Sequence, residues 1–168
     1  MFWVISDCDL ADFLEWNYWC AMRPGETARI VWSDVDLADE TVTPPAFSAK
    51  IERPRTIPLE GPLHETMARR QARRIVGRDL VLHRRHRGRA GQPIKDYRTA
   101  WATACEAVGL VGGRAGATPC DLRRSRLRHL VRSGKPITTV IAISGHITNS
   151  TFRTWRTPAG PSLAWLNG

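Results

Sequence analysis

Nowhere does this sequence run to the ~20 consecutive apolar residues that a bilayer-spanning helix needs, and its opening MFWVISDCDL is acidic where a secretory leader is basic. These absences argue against a membrane span and an export signal, and make a cytoplasmic location the expectation. Cysteine occurs at Cys8, Cys20, Cys105 and Cys120, with no CxxC pair and no histidine at metal-ligand spacing. That pattern speaks against a zinc site and for reduced, mostly buried thiols. Tyrosine occurs only at Tyr18 and Tyr97, both on apolar helical faces that read as core. Repeats and low-complexity segments are missing too, so a solenoid is excluded. The 168 residues suit one domain, 1–168, with its own hydrophobic core.

Acids are scarce beyond residue 46. Residues 1–46 hold nine Asp or Glu against Arg23 and Arg29, whereas residues 47–168 hold 23 Lys or Arg against seven acids. Nearly all of these cations are arginine, whose planar fork of donors matches phosphate geometry. The uneven charge points to a polyanionic partner, a merely solvated basic face being the alternative.

Apolar spacing predicts a helix capped by Asp9 and running through Leu10, Phe13, Leu14, Trp16, Tyr18 and Trp19, almost wholly buried and broken by Pro24-Gly25. Glu26 to Trp32 reads as a short second helix ending at an Asp34-Val35-Asp36 turn, which puts Arg23 at a helix–helix junction. Thr41 to Thr43, Phe47 to Lys50 and Arg55 to Leu59 are β-prone and suggest three antiparallel strands, with Lys50 at the hairpin between the last two. Pro62 opens a helix to about Ile75. Nine arginines crowd residues 69–89, where Leu80-Val81-Leu82 reads as a short buried strand and Arg84, Arg85, Arg87 and Arg89 as a loop beside a structured core. Further helices are predicted from Pro93 to Gly109, Asp121 to Val131, Ile137 to Ile143 with Gly145 as cap, and about Asn149 to Trp155.

Four segments carry candidate chemistry. They are Ala21-Met22-Arg23-Pro24-Gly25-Glu26; Lys50, five residues before Arg55; Cys120-Asp121-Leu122-Arg123-Arg124-Ser125; and Ser144-Gly145-His146. Singly each has an ordinary reading: Arg23 as an ion-pair partner of Glu26, Lys50 as a hairpin cation, His146 as a helix-end cap. In this order, with Trp32-Ser33-Asp34-Val35-Asp36 and Pro54-Arg55-Thr56-Ile57-Pro58-Leu59 between them, they resemble the catalytic domain of the tyrosine recombinases, or phage integrases, over about Phe13 to Trp155.

The resemblance implies a mainly α (α+β) fold, helices around a small three-stranded antiparallel sheet, with Arg23, Lys50, Arg123 and His146 in one basic groove on double-stranded DNA. By descent the function would be DNA strand cutting and rejoining in site-specific integration. Arg23 and Arg123 would clamp the scissile phosphate, Lys50 would protonate the leaving 5′ oxygen, His146 would donate to the phosphate and Glu26 would support Arg23. No cofactor and no metal are implied. The chemistry is sound, because guanidinium forks stabilise charge growing on non-bridging phosphate oxygens without a metal ion.

Two positions depart from the family pattern. Cys120 stands where the family carries histidine, three residues before Arg123, and reads more readily as a small buried thiol than as a proton-transfer group. Trp155 stands nine residues after His146, where the family carries its nucleophilic tyrosine, and an indole has no oxygen with which to attack phosphorus. Only 22 residues precede Arg23, so the family's N-terminal core-binding domain is expected to be absent, as in a truncated or split remnant of a mobile element. The expectation is DNA binding with little or no recombination, as a homo-oligomer or beside an intact recombinase. The alternative is a non-catalytic regulatory module on the same fold.

Overall fold

The computed structural model describes residues 7–44, 55–85, 88–95 and 97–145. Helix α1, Cys8–Trp19, starts where the Asp7 carboxylate accepts from the backbone N–H groups of Asp9 at 3.0 Å and Leu10 at 3.2 Å. The cap is thus Asp7 rather than the expected Asp9, since a capping side chain must stand outside the first turn to reach its donors. Asp9 is buried within the helix and bonds elsewhere. The near-continuous apolar pattern of α1 makes it the central element, burying Leu10, Phe13, Leu14, Trp16 and Tyr18.

Helix α2 is a single turn, Pro24–Thr27, shorter than the predicted run to Trp32. Tertiary pairing ends it: Val31 bridges Leu80, the Val81 N–H donates to the Ile30 carbonyl at 3.0 Å, and the Trp32 N–H donates to that of Asp79 at 2.9 Å. Of the predicted strand at Leu80-Val81-Leu82, Val81 and Leu82 are buried and Leu80 partly so, but the segment is held by isolated bridges rather than by a ladder. A 3₁₀ turn at Trp32–Asp34 leads into β1, Val35–Asp36.

Strand β1 pairs antiparallel with β2, Thr41–Val42, and β2 pairs with β3, Ile57–Pro58, in the order β1-β2-β3. Three antiparallel strands were expected, but the first of them is a segment read from sequence as a turn. Asp36 explains this, because its Oδ1 accepts from the N–H groups of Ala38 at 2.9 Å and Asp39 at 3.0 Å, moving the turn downstream of the strand. The predicted strand Phe47 to Lys50 and the predicted helix Asn149 to Trp155 lie outside the described residues.

Helices α3 (Pro62–Gln71), α4 (Tyr97–Ala107), α5 (Pro119–Arg132) and α6 (Ile137–Ser144) complete the described chain. Helix α1 packs against α3 and α5, with Val81, Leu82, Ile94, Trp101, Cys105 and Leu122 in the same core. A second cluster of Ala21, Leu127, Leu130 and Val140 holds α6 against α5. No helix among the described residues is long and apolar enough to cross a membrane.

The acidic N-terminal stretch folds onto the basic run. Arg84 pairs with Asp7, Arg70 with Asp9 at 3.1 Å, Arg85 with Asp9 at 2.9 Å, and Arg69 with Asp12 at 3.0 Å and Glu15 at 2.6 Å. Arg70 Nε also lies 2.8 Å from Asp12 Oδ2, an ion pair without good hydrogen-bond alignment. With Arg73 4.0 Å from Asp12, five of the described arginines between 69 and 89 are answered inside the protein, and part of the uneven charge is internal complementarity rather than surface potential. All four cysteines are free thiols, but only Cys20 and Cys105 are buried; Cys8 and Cys120 are exposed.

Candidate functional site

The turn after α1 creates the site locally. Ala21 adopts a left-handed φ of 49°, and Arg23 is extended (φ −77°, ψ 145°), as a residue before proline is driven to be. Pro24 opens α2, and Glu26 at the third helical position reaches back so that its Oε2 accepts from the Arg23 N–H at 2.9 Å. The Arg-Pro-Gly-Glu run thereby buries the Glu26 carboxylate, whose side chain is 0% exposed, beneath an Arg23 side chain that remains 36% exposed.

Three arginines from distant segments meet this carboxylate. Arg23 Nη1 lies 3.2 Å from Oε1, Arg55 Nη2 lies 2.8 Å from Oε2, and Arg123 Nη1 lies 3.8 Å from the same Oε2. Arg123 also donates from Nη2 to the Ser144 carbonyl at 2.7 Å, joining α5 to the end of α6. Among the described residues, three guanidinium groups share this one carboxylate. The electrostatics of the cluster follow from that: burial first, then the neighbouring Arg23 and Arg55, pull the Arg123 guanidinium down to about 10, against the opposing influence of Glu26 and Cys120.

Helix α5 sets Arg123 by a cap of its own. Thr118 precedes Pro119, and its backbone N–H and hydroxyl both donate to Asp121 Oδ2 at 2.8 Å. Cys120 falls in this first turn, one helical step from Arg123 on the same side. It is exposed, which overturns its reading as a small buried thiol.

Of the predicted site residues, Arg23, Glu26, Cys120 and Arg123 come together around the start of α5, whereas Lys50, His146 and Trp155 lie outside the described residues. Arg55 was not singled out as a site residue from sequence. A signal for it existed in the two-residue strand period: Arg55, Ile57 and Leu59 face inward while Thr56, Pro58 and Glu60 are exposed, so a charge on the inner face required a buried partner. Tyr18 is buried and beside Arg126, and burial raises its phenol above the ordinary range against that arginine's influence.

The model of the phage integrase family matches residues 5–159, most of the chain. The chain belongs to the phage integrase family. No curated protein matches it by sequence. Among solved structures, it is similar to the Tn1549 transposon integrase in complex with circular-intermediate DNA, at TM-score 0.72 and 14% identity over 98% of this chain and 60% of that one. A lambda integrase dimer bound to a COC′ core site matches at TM-score 0.72 and 18% identity over 93% of this chain and 45% of that one. XerA recombinase matches at TM-score 0.72 and 17% identity, over 99% of this chain and 59% of that one. This phage integrase family member thus spans between 45% and 60% of the length of these relatives. The shared architecture is the tyrosine recombinase catalytic-domain fold.

Proposed function

We propose that this chain is a DNA-binding integrase domain that grips one backbone phosphate of double-stranded DNA but lacks the residue for a covalent step. The observation that carries the reading is the convergence of Arg23, Arg55 and Arg123 on one buried carboxylate, Glu26. A phosphodiester suits it, because two guanidinium forks can address both non-bridging oxygens. In this reading Arg23 and Arg123 are the clamp and Glu26 orients them. Lys50 and His146 serve as leaving-group acid and phosphate donor, and the chain 1–168 acts as one domain needing no cofactor.

Trp155 supports the negative half of the reading: its indole cannot attack phosphorus, so the cleavage and rejoining expected by descent are impaired. Cys120 in place of histidine alters a second proton-transfer position. The chain then acts as a DNA-occupying or regulatory module derived from a mobile element, as a homo-oligomer or beside an intact recombinase. The Tn1549 integrase and the lambda integrase dimer, both solved on DNA, support the partner class.

A band-shift titration of duplex DNA against salt tests the binding half. Affinity should fall with a log–log slope of about −0.9 per phosphate neutralised, from a Kd of ~10⁻⁴ to 10⁻⁶ M, and a salt-independent Kd would sink it. A nicked half-site substrate tests the covalent half: the wild-type chain should form no denaturant-resistant adduct, and finding one would mean that the nucleophile position is misassigned.

A further inference from the structure

We propose that this chain associates head to tail with a second copy, the basic corner between α5 and α6 of one protomer seating in an acid-rimmed apolar groove beside α3 of the next. The inference rests on the homo-oligomer reading above and names the two surfaces that reading needs. The groove, of about 170 Å³, has buried Leu59 and Met67 at its base, with Leu37, Ala68, Glu40 and His64 around them. Leu37 projects from the turn between β1 and β2 at 43% exposure, and residues 36–40 are exposed throughout. Glu40 meets His64 at 3.3 Å, both side chains being more than half exposed. Asp39 and Glu60, adjacent in sequence to the lining residues Glu40 and Leu59, are exposed and meet no cation among the described residues.

The corner is its complement. Residues 131–139, from the end of α5 into α6, are exposed without a break and carry Val131, Arg132, Lys135 and Ile137. No Asp or Glu follows Asp121 in the sequence, and among the described residues no acid pairs with Arg132 or Lys135. Cations at a helix C-terminus interact favourably with its dipole, which accounts for Arg132 but not for two bulky aliphatic side chains left in water beside it. Of the six large apolar side chains exposed among the described residues, Leu37 lies in the acidic surface and Val131 and Ile137 in the basic one. Each surface therefore offers the other an apolar contact and the opposite charge, the combination that a specific interface uses. Helix α1 stands between α3 and α5, and no ion pair joins groove to corner within one chain among the described residues. Because the two surfaces differ, the contact is heterologous and repeats from copy to copy.

Sedimentation velocity of the full chain, without DNA and over a concentration series, tests the pairing. The wild type should self-associate, and less so as salt rises. A groove-reversed protein, Asp39→Lys with Glu60→Lys, and a corner-reversed protein, Arg132→Glu with Lys135→Glu, should each show a dissociation constant raised at least about tenfold, since like charges then face each other. All four positions are exposed, and far-UV circular dichroism confirms that the variants fold. Mixed in equal amounts, the two variants should associate again, because every groove then finds a corner of opposite charge. Ile137→Ser should weaken association at unchanged charge. Undiminished association in both variants, or no recovery on mixing, overturns this pairing and leaves the homo-oligomer reading standing; a wild type that stays monomeric throughout overturns both. Loss on groove reversal alone would put residues 146–168, basic through Arg153 and Arg156, in the groove instead. Corner reversal that spares self-association but weakens duplex binding would make the corner a DNA contact, and either result also overturns the pairing.

Discussion

Arg23 and Arg123 differ in what they do despite sharing a carboxylate. Arg23 is more than one-third exposed and its ion pair with Glu26 is screened, whereas Arg123 is 7% exposed and bonds a backbone carbonyl. If the proposed phosphate clamp holds, loss of either removes charge-assisted bonds to phosphate, each type being of order 1.5–3 kcal/mol. We therefore expect Arg23→Ala and Arg123→Ala to weaken duplex binding by roughly ten- to a hundredfold. Arg98→Ala, an exposed change on α4, should change it by less than about threefold. Fluorescence anisotropy on the three variants checks this, and equal losses would mean a generic basic surface. Arg123→Ala should also lower the thermal midpoint while Arg23→Ala should not, because only Arg123 is buried.

Helices α5 and α6 carry the site through their ends rather than their middles. The Thr118–Asp121 cap fixes the start of α5, and Gly145 in the left-handed region at φ 68° ends α6 where the Ser144 carbonyl meets Arg123. A left-handed backbone costs a side-chain-bearing residue roughly 1–2 kcal/mol, and at Gly145 the added Cβ would also strike Arg55. Gly145→Ala should therefore destabilise the protein by at least about 1–2 kcal/mol in denaturant titrations. Gly134→Ala, also at positive φ but with nothing within 4 Å of where its Cβ would sit, should cost only the backbone part. Equal costs at the two glycines would show that the Arg55 contact is loose. The α6 boundary was legible because a glycine after an apolar run is a standard stop. The end of α2 was not, since pairing with Leu80 ended it and no local residue announces that pairing.

At the scale of the molecule, the acidic first helix and the arginines of residues 69–85 form one ionic layer. Arg70 has 0% side-chain exposure between Asp9 and Asp12, so Arg70→Met would take one guanidinium from each buried carboxylate, leaving Asp9 to Arg85 and Asp12 to Arg69. A loss no larger than the roughly 3–5 kcal/mol of a fully broken buried pair is expected, measurable by urea unfolding. The layer also sets an acid limit. Burial raises the Asp9 carboxyl, but hydrogen bonds from the Arg85 side chain and backbone and the charges of Arg70 and Arg85 outweigh it, holding Asp9 below its ordinary 3.8. With the folded value the lower one, the unfolded chain takes the proton first. The stabilisation is complete well above about pH 4 and is lost as pH falls through the folded value. Thermal midpoints should thus drop below about pH 4, less steeply in Asp9→Asn, and parallel profiles for the two proteins would remove Asp9 from the account.

The family, the mainly helical fold with a small antiparallel sheet and most of the described helices were legible in the sequence, because motifs, caps and apolar periods are local. Which charges face one another was settled by packing. From composition, the acids of residues 7–15 and the arginines of residues 69–85 look like opposite ends of an uneven chain, yet α1 and α3 pack side by side and cancel them. Cys120 proved exposed and Arg55 proved buried for the same reason: an ionic or thiol side chain takes its environment from neighbours distant in sequence. Glu26 meets Arg55 across 29 positions and Arg123 across nearly a hundred, and no local period encodes a contact of that span.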